Sequence, residues 1–412
     1  MPALDALRGV AVLAVFAQHL GDTHMPFVRA RVNEALPAAI APWILTVLHH
    51  AHWGVDLFFV LSGFSLAQPL LGRAARSGAE GLAFSAWGRS FFRRRAARIY
   101  PGYLAALALV IVAAPAVRNH PSFPASLVAH VAMLQGYFVP GGLAIIGAAW
   151  SLSTEVAFYL AWPLLAPRVL SPPSEDAHPQ PPSGRLPLPN RSLRFTPLAK
   201  GGGPSSRIEA LRPWLIGASI VIAAWLLRGT LHEVALGDAA HPWLLEATQR
   251  RWAVCRIDQF VLGALAASAH ARIVRSSVAD RVARIAPLLT LIAAVALVPA
   301  FYLEGSFFLS PLGSWPYALV SIATAALVLS SALVSQSASK WLFPAPLRWV
   351  GVVSYGVFLN HQLALGATAH LAGPPGSWRA LSVHAALGVA LSLVIGWISW
   401  VVVERPMIER SR

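Results

Sequence analysis

Apolar stretches of about the length that crosses a lipid bilayer recur along this whole chain of 412 residues. A bilayer core takes about 20 apolar residues per helix, with a range near 17 to 25. Ten stretches approach or reach this length, and they lie near 9–20, 54–71, 100–117, 148–167, 213–227, 257–271, 285–303, 316–335, 349–371 and 380–403. Charged residues make up only 12% of the chain, against roughly 25% in soluble domains. The pattern predicts an all-α fold, a polytopic transmembrane bundle of about ten spans that forms a single domain over 1–412.

The first stretch is the shortest, because its clean apolar run from Gly9 to Phe16 ends in Gln18 and His19. Such a run also fits the core of a signal peptide, but no small-residue cleavage pattern follows it. We therefore expect an uncleaved first span.

The basic charge of the chain follows its expected topology. The formal net charge is +15, which by itself would fit a nucleic-acid partner. If the N-terminus is cytoplasmic, the inside segments 1–9, 72–100, 168–212, 271–284, 336–348 and 404–412 hold 24 of the 32 Lys and Arg residues. This asymmetry is the positive-inside rule. It predicts both termini in the cytoplasm, a multi-pass protein of the cytoplasmic membrane, and no nucleic-acid partner.

The loops differ in composition. Residues 171–212 are dense in Pro, Ser, Gly and Arg, which predicts a disordered cytoplasmic loop. The longer outside loops are 21–52 and 118–147, and the apolar piece Leu127–Phe138 is too short to span, so we expect a re-entrant or interfacial helix there. The single cysteine, Cys255, excludes an internal disulfide.

A histidine lies deep in the first span. Arg8 and His19 are separated by ten residues, so at about 1.5 Å per residue His19 lies roughly 16 Å further along the helix, near the bilayer centre or slightly beyond it. Polar groups at that depth usually face a cavity or a partner. A neutral imidazole there would suit a general base. The alternative is a histidine that is hydrogen-bonded between helices for packing.

An acidic residue enters the membrane from the outside in the fourth stretch. Ser151, Glu155 and Tyr159 recur every four residues and so share one helix face. Glu155 would lie about 8 Å below the outer edge, at a depth comparable to His19. The alternative is a carboxylate neutralised by a neighbouring arginine.

Two further groups of candidates have structural alternatives of their own. Asp56 begins the second span and Ser62 lies deeper, but Asp56 also suits a helix start through the macrodipole. In the cytoplasmic segment, the three-residue spacing of Arg95 and Arg98 fits a phosphate-bearing ligand. Ordinary positive-inside anchoring explains most such arginine clusters.

Asn360 and His361 lie about 18 to 20 Å from the inner edge of a later span. Three separate helices thus place His19, Glu155 and His361 at similar depth, above the cytoplasmic arginines.

These motifs, taken in order and with their spacing, closely resemble the acyltransferase 3 family of bacterial membrane-bound O-acyltransferases. The resemblance runs from Leu4 to Pro406. It rests on Leu4–Gly9 with its arginine, ten residues and histidine, then on Gly54–Gly63, Arg95–Pro101, Trp150–Glu155, Arg256–Gly263, Ser354–His361 and Glu404–Pro406.

The resemblance implies transfer of an acyl group, commonly acetyl, from cytoplasmic acyl-CoA to a hydroxyl of an acceptor. The family's acceptors include carbohydrates, lipid-linked glycans and macrolides. His19 matches the family's proposed catalytic histidine, Arg8 its arginine partner, Arg95 and Arg98 its second arginine motif, and Glu155 its intramembrane acid. Some members carry an extracytoplasmic SGNH-type domain after the helices; we expect none here. We also expect no metal and no tightly bound cofactor, with acyl-CoA, in particular acetyl-CoA, as co-substrate.

The chemistry suggests His19 as general base, with a covalent acyl-histidine as the less favoured alternative. Glu155 would orient or charge-balance the imidazole, and Ser62, Tyr159 or His361 would stabilise the oxyanion. Asp56 and Asn360 are further candidate contacts to the oxyanion or the acceptor. A competing hypothesis is a proton-coupled transporter or flippase with His19, Glu155 and His361 as proton relay; a non-catalytic membrane scaffold is a third. The arginine pair favours the enzyme, because a proton relay needs no phosphate site.

Overall fold

The chain folds into helices throughout the part that the structure describes. The computed structural model describes residues 1–49, 52–138, 145–170, 204–238, 240, 244, 247–307, 315–373 and 375–411, and these residues contain no β-strand. The helices are α1 (Pro2–Thr23), α2 (Met25–Ala35), α3 (Ala41–His49), α4 (Trp53–Ser77), α5 (Phe84–Ala113), α6 (Pro115–Arg118), α7 (Phe123–Val131), α8 (Gln135–Phe138), α9 (Trp150–Val169), α10 (Pro204–Gly237), α11 (Ile257–Ile273), α12 (Ala279–Phe307), α13 (Trp315–Leu333), α14 (Gln336–Leu342), α15 (Ala345–Ala372), α16 (Trp378–Ser399) and α17 (Arg405–Arg410).

Seven helical segments among the described residues are long and apolar enough to cross a membrane. They are Pro2–Thr23, Trp53–Ser77, Glu80–Ala113, Glu209–Gly237, Ala279–Leu303, Trp315–Leu333 and Trp378–Arg410. An eighth results if α14 and α15, which are bent by 78°, form one broken span. The all-helical, multi-pass character of the protein is confirmed, and the count of about ten spans stays a prediction. Helix α11 has 17 residues and the first turns of α9 are polar, so neither is among the seven.

Helices α1 and α15 pack against each other along the same direction. Gly9 lies against the backbone at Leu347 and Gly351, and a Cβ on Gly9 would collide with the Leu347 carbonyl oxygen. Ten residues further along each helix, His19 lies beside His361. The glycine contact therefore fixes the register that brings the two histidines together.

Helix α4 packs in the opposite direction on the other side of α1. Near its start, Gly54 lies against the backbone of Ala11. At the middle of the helix, Ser65 accepts a hydrogen bond of 2.9 Å from the Arg8 guanidinium. The same helix packs closely on α11, where Gly63 meets the Phe260 carbonyl. Helix α4 is thus held from two sides, which fixes the direction of its polar side chains.

Two buried ion pairs join α4, α10 and α11. Asp56 pairs with Arg256, and Asp258 pairs with Arg228 at 2.7 Å; all four side chains are at most 1% exposed. Both guanidinium groups lie over the ring of Tyr317 on α13, at 4.9 Å from Arg256 and 5.2 Å from Arg228. Charges so deeply buried persist only when they are paired. This network is therefore a structural joint between four helices.

The predicted loops are only partly loops. Most of the predicted disordered segment 171–212 lies outside the described residues. Because α10 begins at Pro204, residues 204–212 at the end of that segment are helical. Segment 21–52, which was predicted to be a loop outside the membrane, contains helices α2 and α3. The apolar piece Leu127–Phe138 forms the end of α7 and the short helix α8, which agrees with a helical segment too short to span.

Candidate active site

A cavity of about 140 Å³ lies between α1, α4, α5, α9 and α15. Ten of its lining residues are polar: Arg8, Ser62, Ser65, Arg95, Arg98, Ser151, Glu155, Tyr159, Ser354 and Tyr355. The others are Val55, Phe58, Phe59, Leu61, Ile99, Leu152 and Phe358. Six of the ten residues proposed from the sequence as site residues therefore meet in one cavity, although they come from four different helices.

Three arginines give this cavity a surplus of positive charge. Arg8 pairs with the partly exposed Asp5 at 2.7 Å. Arg95 lies over the Tyr159 ring, with its guanidinium carbon 5.8 Å from the ring centroid, and its buried Nε has no hydrogen-bond partner among the described residues. Arg98 is exposed and also lines the cavity. A buried donor without a partner is costly, so Arg95 Nε is suited to a ligand with an acceptor atom.

Glu155 connects two hydroxyl groups across the cavity wall. Its Oε1 accepts hydrogen bonds from Ser62 Oγ at 2.6 Å and from Tyr159 OH at 2.5 Å. Among the described residues it forms neither an ion pair with an arginine nor a bond to His19. The suggestion that Glu155 orients the imidazole is therefore not what the geometry shows; its carboxylate instead fixes α4 to α9.

The two histidines of α1 and α15 form a pair whose proton positions follow from their partners. His361 Nδ1 lies 2.7 Å from the Phe358 carbonyl oxygen, and His19 Nδ1 lies 2.9 Å from the Val15 carbonyl oxygen. Since a carbonyl oxygen only accepts hydrogen bonds, each Nδ1 carries a proton in the neutral rings. His361 Nε2, 3.3 Å from His19 Nδ1, then accepts from it.

The basic nitrogen of the pair is consequently His19 Nε2. The Nε2 lone pair is free when Nδ1 carries the proton. No residue in the described part of the chain forms a hydrogen bond with His19 Nε2. His361 is 1% exposed, whereas His19 is half-buried. The arrangement gives one accessible base that is held in orientation by a second, buried imidazole.

A comparison with protein families decides which chemistry this geometry serves. The acyltransferase 3 profile (Acyl_transf_3, an acyltransferase domain) matches residues 1–401. The chain belongs to this acyltransferase family. The resemblance drawn from the sequence motifs is thereby confirmed, and the matched residues form an acyltransferase domain of this family.

Two curated relatives are similar to this acyltransferase. Acyltransferase MdmB of Streptomyces mycarofaciens is 33% identical over 174 residues, which is 40% of this chain and 38% of MdmB. Peptidoglycan O-acetyltransferase OatA of Listeria monocytogenes serovar 1/2a is 24% identical over 444 residues, or 99% of this chain and 56% of OatA. The chain thus spans little more than half the length of OatA. No solved structure matches it.

Two residues that the sequence suggested for the site of this acyltransferase lie elsewhere. Asp56 is bound by Arg256 and accepts a hydrogen bond of 2.6 Å from Gln259, so it belongs to the buried structural joint. It also lies in the first turn of α4, as the helix-start interpretation expected. Asn360 is 2% exposed and donates to the Gly356 carbonyl oxygen at 2.9 Å. Neither is part of the cavity wall.

The cavity wall also contains residues that the sequence motifs did not indicate as site residues. Ser65 binds Arg8, and it follows Ser62 by three residues, so helical periodicity would have placed both on one face. Phe58 and Phe358 were part of quoted motifs but looked like ordinary core residues. Their position between the cavity and the histidine pair depends on how α4 and α15 cross α1, which local sequence does not encode.

Proposed function

We propose that this acyltransferase transfers an acyl group, acetyl in the first instance, from acyl-CoA to a hydroxyl group of a carbohydrate acceptor, with His19 as general base. One observation carries the proposal. The cavity is lined by three arginines, and the buried Arg95 Nε in it has no hydrogen-bond partner among the described residues. Arg8 of this cavity and His19, whose Nε2 is free, lie about three turns apart on nearly the same face of α1.

The arginines provide the donor site. CoA carries phosphate groups, and guanidinium groups bind phosphate oxygens with two parallel hydrogen bonds. Arg98 is exposed at the cavity and would meet the phosphates first, while Arg8 and Arg95 lie deeper. The pantetheine arm then extends from the arginines toward Ser62 and Glu155, which brings the thioester into the bundle.

The histidine pair provides the base. His19 Nε2 takes the proton of the acceptor hydroxyl as its oxygen attacks the thioester carbonyl carbon. The new C–O bond forms, the C–S bond breaks, and the proton passes from the imidazolium to the sulfur of the departing CoA. The Val15 carbonyl oxygen and His361 Nε2 both accept from His19 Nδ1, so together they keep the tautomer in which Nε2 is the base.

The hydroxyls of Ser62 and Tyr159 have a different role from the one the sequence suggested. Both donate to Glu155 Oε1, and His361 uses its N–H on the Phe358 carbonyl oxygen. None of them is a free donor for the oxyanion. Arg95 Nε is a free donor, and Arg95 lies in the cavity beside Tyr159. We therefore assign stabilisation of the oxyanion to Arg95.

The topology follows from the charge asymmetry. We propose about ten spans, with α9, α11 and the bent pair α14–α15 crossing the membrane in addition to the seven candidates, and both termini in the cytoplasm. The protein then lies in the cytoplasmic membrane, with the arginine cavity open to cytoplasmic acyl-CoA. The acceptor approaches His19 from the opposite side.

A carbohydrate acceptor is supported by the name of one relative, a peptidoglycan O-acetyltransferase that aligns with 99% of this chain. A lipid-linked glycan and a macrolide-like molecule are the other acceptors to be tested. Each offers a hydroxyl to the same base, so the acceptor does not alter the assignment of His19.

Acyl transfer by the purified protein in detergent tests this function. With radiolabelled acetyl-CoA and peptidoglycan fragments, lipid-linked glycan or a macrolide as acceptor, we expect label in one acceptor and release of free CoA thiol. The His19→Ala variant should lose transfer but still bind acetyl-CoA. His24→Ala, which removes a buried histidine paired with His384 instead, is the matched control. Absence of acetyl-CoA binding, or transfer by His19→Ala at the wild-type rate, would refute the proposal.

A further inference from the structure

Two aromatic rings in contact with each other line the arginine cavity, and one of them also lies next to the histidine pair. Phe58 of α4 and Phe358 of α15 both line the cavity, and their rings are in edge-to-face contact with centroids 5.9 Å apart. The Phe358 ring is also 6.0 Å from the ring of His361. Among the described residues that line the cavity, neither His19 nor His361 appears. The cavity therefore ends before it reaches the base, at Phe358 on α15 and at Val55, about one turn beyond Phe58, on α4.

The cavity and the histidine pair lie one above the other along the axis of α1. Arg8 and His19 are eleven residues apart, which on an α-helix is about three turns and roughly 16 Å, on nearly the same face. Arg8 lines the cavity and His19 contacts His361. Phe358 precedes His361 by three residues, so its ring lies about one turn nearer the cavity.

We infer that Phe58 and Phe358 form a barrier between donor and base, and that this pair determines the preference of the enzyme for its acceptor over water. The inference rests on the proposed function. For transfer, the thioester carbonyl carbon must come within bonding distance of an oxygen whose proton goes to His19 Nε2. With the rings as they stand, the thioester lies on one side and the base on the other.

Water competes with the acceptor for the same step. When water attacks, the C–S bond breaks, a C–O bond forms, and carboxylic acid and CoA thiol are released. The edges of the two phenylalanine rings offer water no hydrogen-bond partner. Each ring can also turn about its two side-chain torsions. Closed rings thus keep water at the His19 level away from the thioester, and the rings must turn aside when an acceptor is bound.

Acceptor-independent hydrolysis of acetyl-CoA measures the barrier directly. The variants are Phe358→Ala and the milder Phe358→Leu, which retains more side-chain volume. We expect thiol release without acceptor to rise about 10-fold in Phe358→Ala and less in Phe358→Leu. Adding His19→Ala to Phe358→Ala should remove the gain. The matched control is Phe158→Leu, a buried phenylalanine that stacks on Phe260 outside the cavity. Unchanged thiol release in folded Phe358 variants would overturn the inference.

A labelling experiment tests the barrier without any acyl transfer. Cys255 is replaced by Ala, and His19→Cys provides a single thiol on the far side of the rings. A charged, membrane-impermeant methanethiosulfonate is added to sealed vesicles of either orientation. Arg93→Cys, at an exposed position in the arginine cluster, reports which face carries the cavity mouth. From that face, modification of His19→Cys should be at least about 10-fold faster with Phe358→Leu than with Phe358 intact.

The two experiments separate failure of the barrier from failure of the proposed function. If labelling depends on Phe358 but neither wild type nor variant hydrolyses acetyl-CoA, the barrier stands and the donor assignment fails. If labelling from the cavity face is equally fast with and without Phe358, the barrier is refuted, whatever the enzyme assay shows.

Discussion

His361 Nε2 lies 3.3 Å from His19 Nδ1, and the two rings meet edge to face with centroids 4.8 Å apart. Each ring is also tied to a carbonyl oxygen of its own helix, at Val15 and Phe358. These bonds fix which nitrogen of His19 carries a proton. The pair thus resembles other catalytic arrangements in which one group orients the base and does not itself touch the substrate.

Removal of the His361 ring should reduce turnover while leaving donor binding intact. In His361→Ala, the His19 Nδ1 proton keeps the Val15 carbonyl oxygen but loses its second acceptor, and the His19 ring loses the neighbouring ring that packs against it, so it can turn. We expect kcat to fall about 10- to 100-fold, within the ~10²–10⁴ that a general base contributes, with KM for acetyl-CoA changed less than about twofold. Steady-state kinetics measure both. His370→Ala, at an exposed position near the C-terminal end of the same helix, should have wild-type values, and a proportional rise in KM for His361→Ala would contradict the positioning role.

Arg95 and Arg98 should control affinity for the donor. Replacement by Gln removes a charged hydrogen bond, for which about 1.5–3 kcal/mol is typical. KM for acetyl-CoA should therefore rise about 10- to 100-fold in either variant, and at Arg95 kcat should fall as well because of its oxyanion role. Arg93→Gln changes the same cluster at an exposed position that is not part of the cavity wall. Binding of acetyl-CoA by calorimetry should be weakened in the first two variants and not in the third; equal weakening in all three would indicate a general charge effect.

Two substitutions of Tyr159 should separate the role of its ring from that of its hydroxyl. Tyr159→Phe keeps the ring under Arg95 and removes only the hydrogen bond to Glu155 Oε1. One hydrogen bond contributes about 1 kcal/mol, so kcat/KM should fall about fivefold. Tyr159→Leu also removes the cation–π contact with Arg95 and should have a larger effect. If the two variants have equal kcat/KM, the ring does not position Arg95.

The periodic part of this fold could be predicted from sequence. Ten apolar stretches and the arginine asymmetry predicted a multi-pass helical protein, and four-residue spacing correctly placed Glu155 and Tyr159 on one face, where they share a hydrogen bond. The helical rise per residue also predicted that His19 and His361 lie at a similar depth in the membrane, and the two side chains are in contact. These successes share a cause: each depends only on regular geometry within single helices.

What the sequence could not predict depends on contacts between helices. Glu155 was expected near His19 because both lie at similar depth, but depth does not determine direction, and Glu155 faces Ser62 instead. Asp56 was a candidate for acceptor contact because its partner, Arg256, lies 200 residues away in the chain. The phenylalanine barrier is a product of three helices that cross, and no single segment indicates it.

The buried ion pairs should matter for stability rather than for chemistry. Asp258 accepts hydrogen bonds from Arg228 at 2.7 Å, Trp225 at 2.8 Å and Ser321 at 2.7 Å, all inside the bundle. Asp258→Asn leaves the Arg228 charge without its counter-ion, a change that typically costs about 3–5 kcal/mol.

Thermal unfolding in detergent measures this cost against a matched control. Glu409→Gln removes the carboxylate of an ion pair with Arg405 whose side chains are more than half exposed. Exposed pairs contribute about 0–1 kcal/mol, so Tm should hardly change in that variant and should fall strongly in Asp258→Asn. At a temperature where Asp258→Asn remains folded, its KM for acetyl-CoA should equal the wild-type value, because Asp258 is not part of the cavity wall. A selective loss of donor binding at unchanged Tm would instead place the ion pairs in the active site.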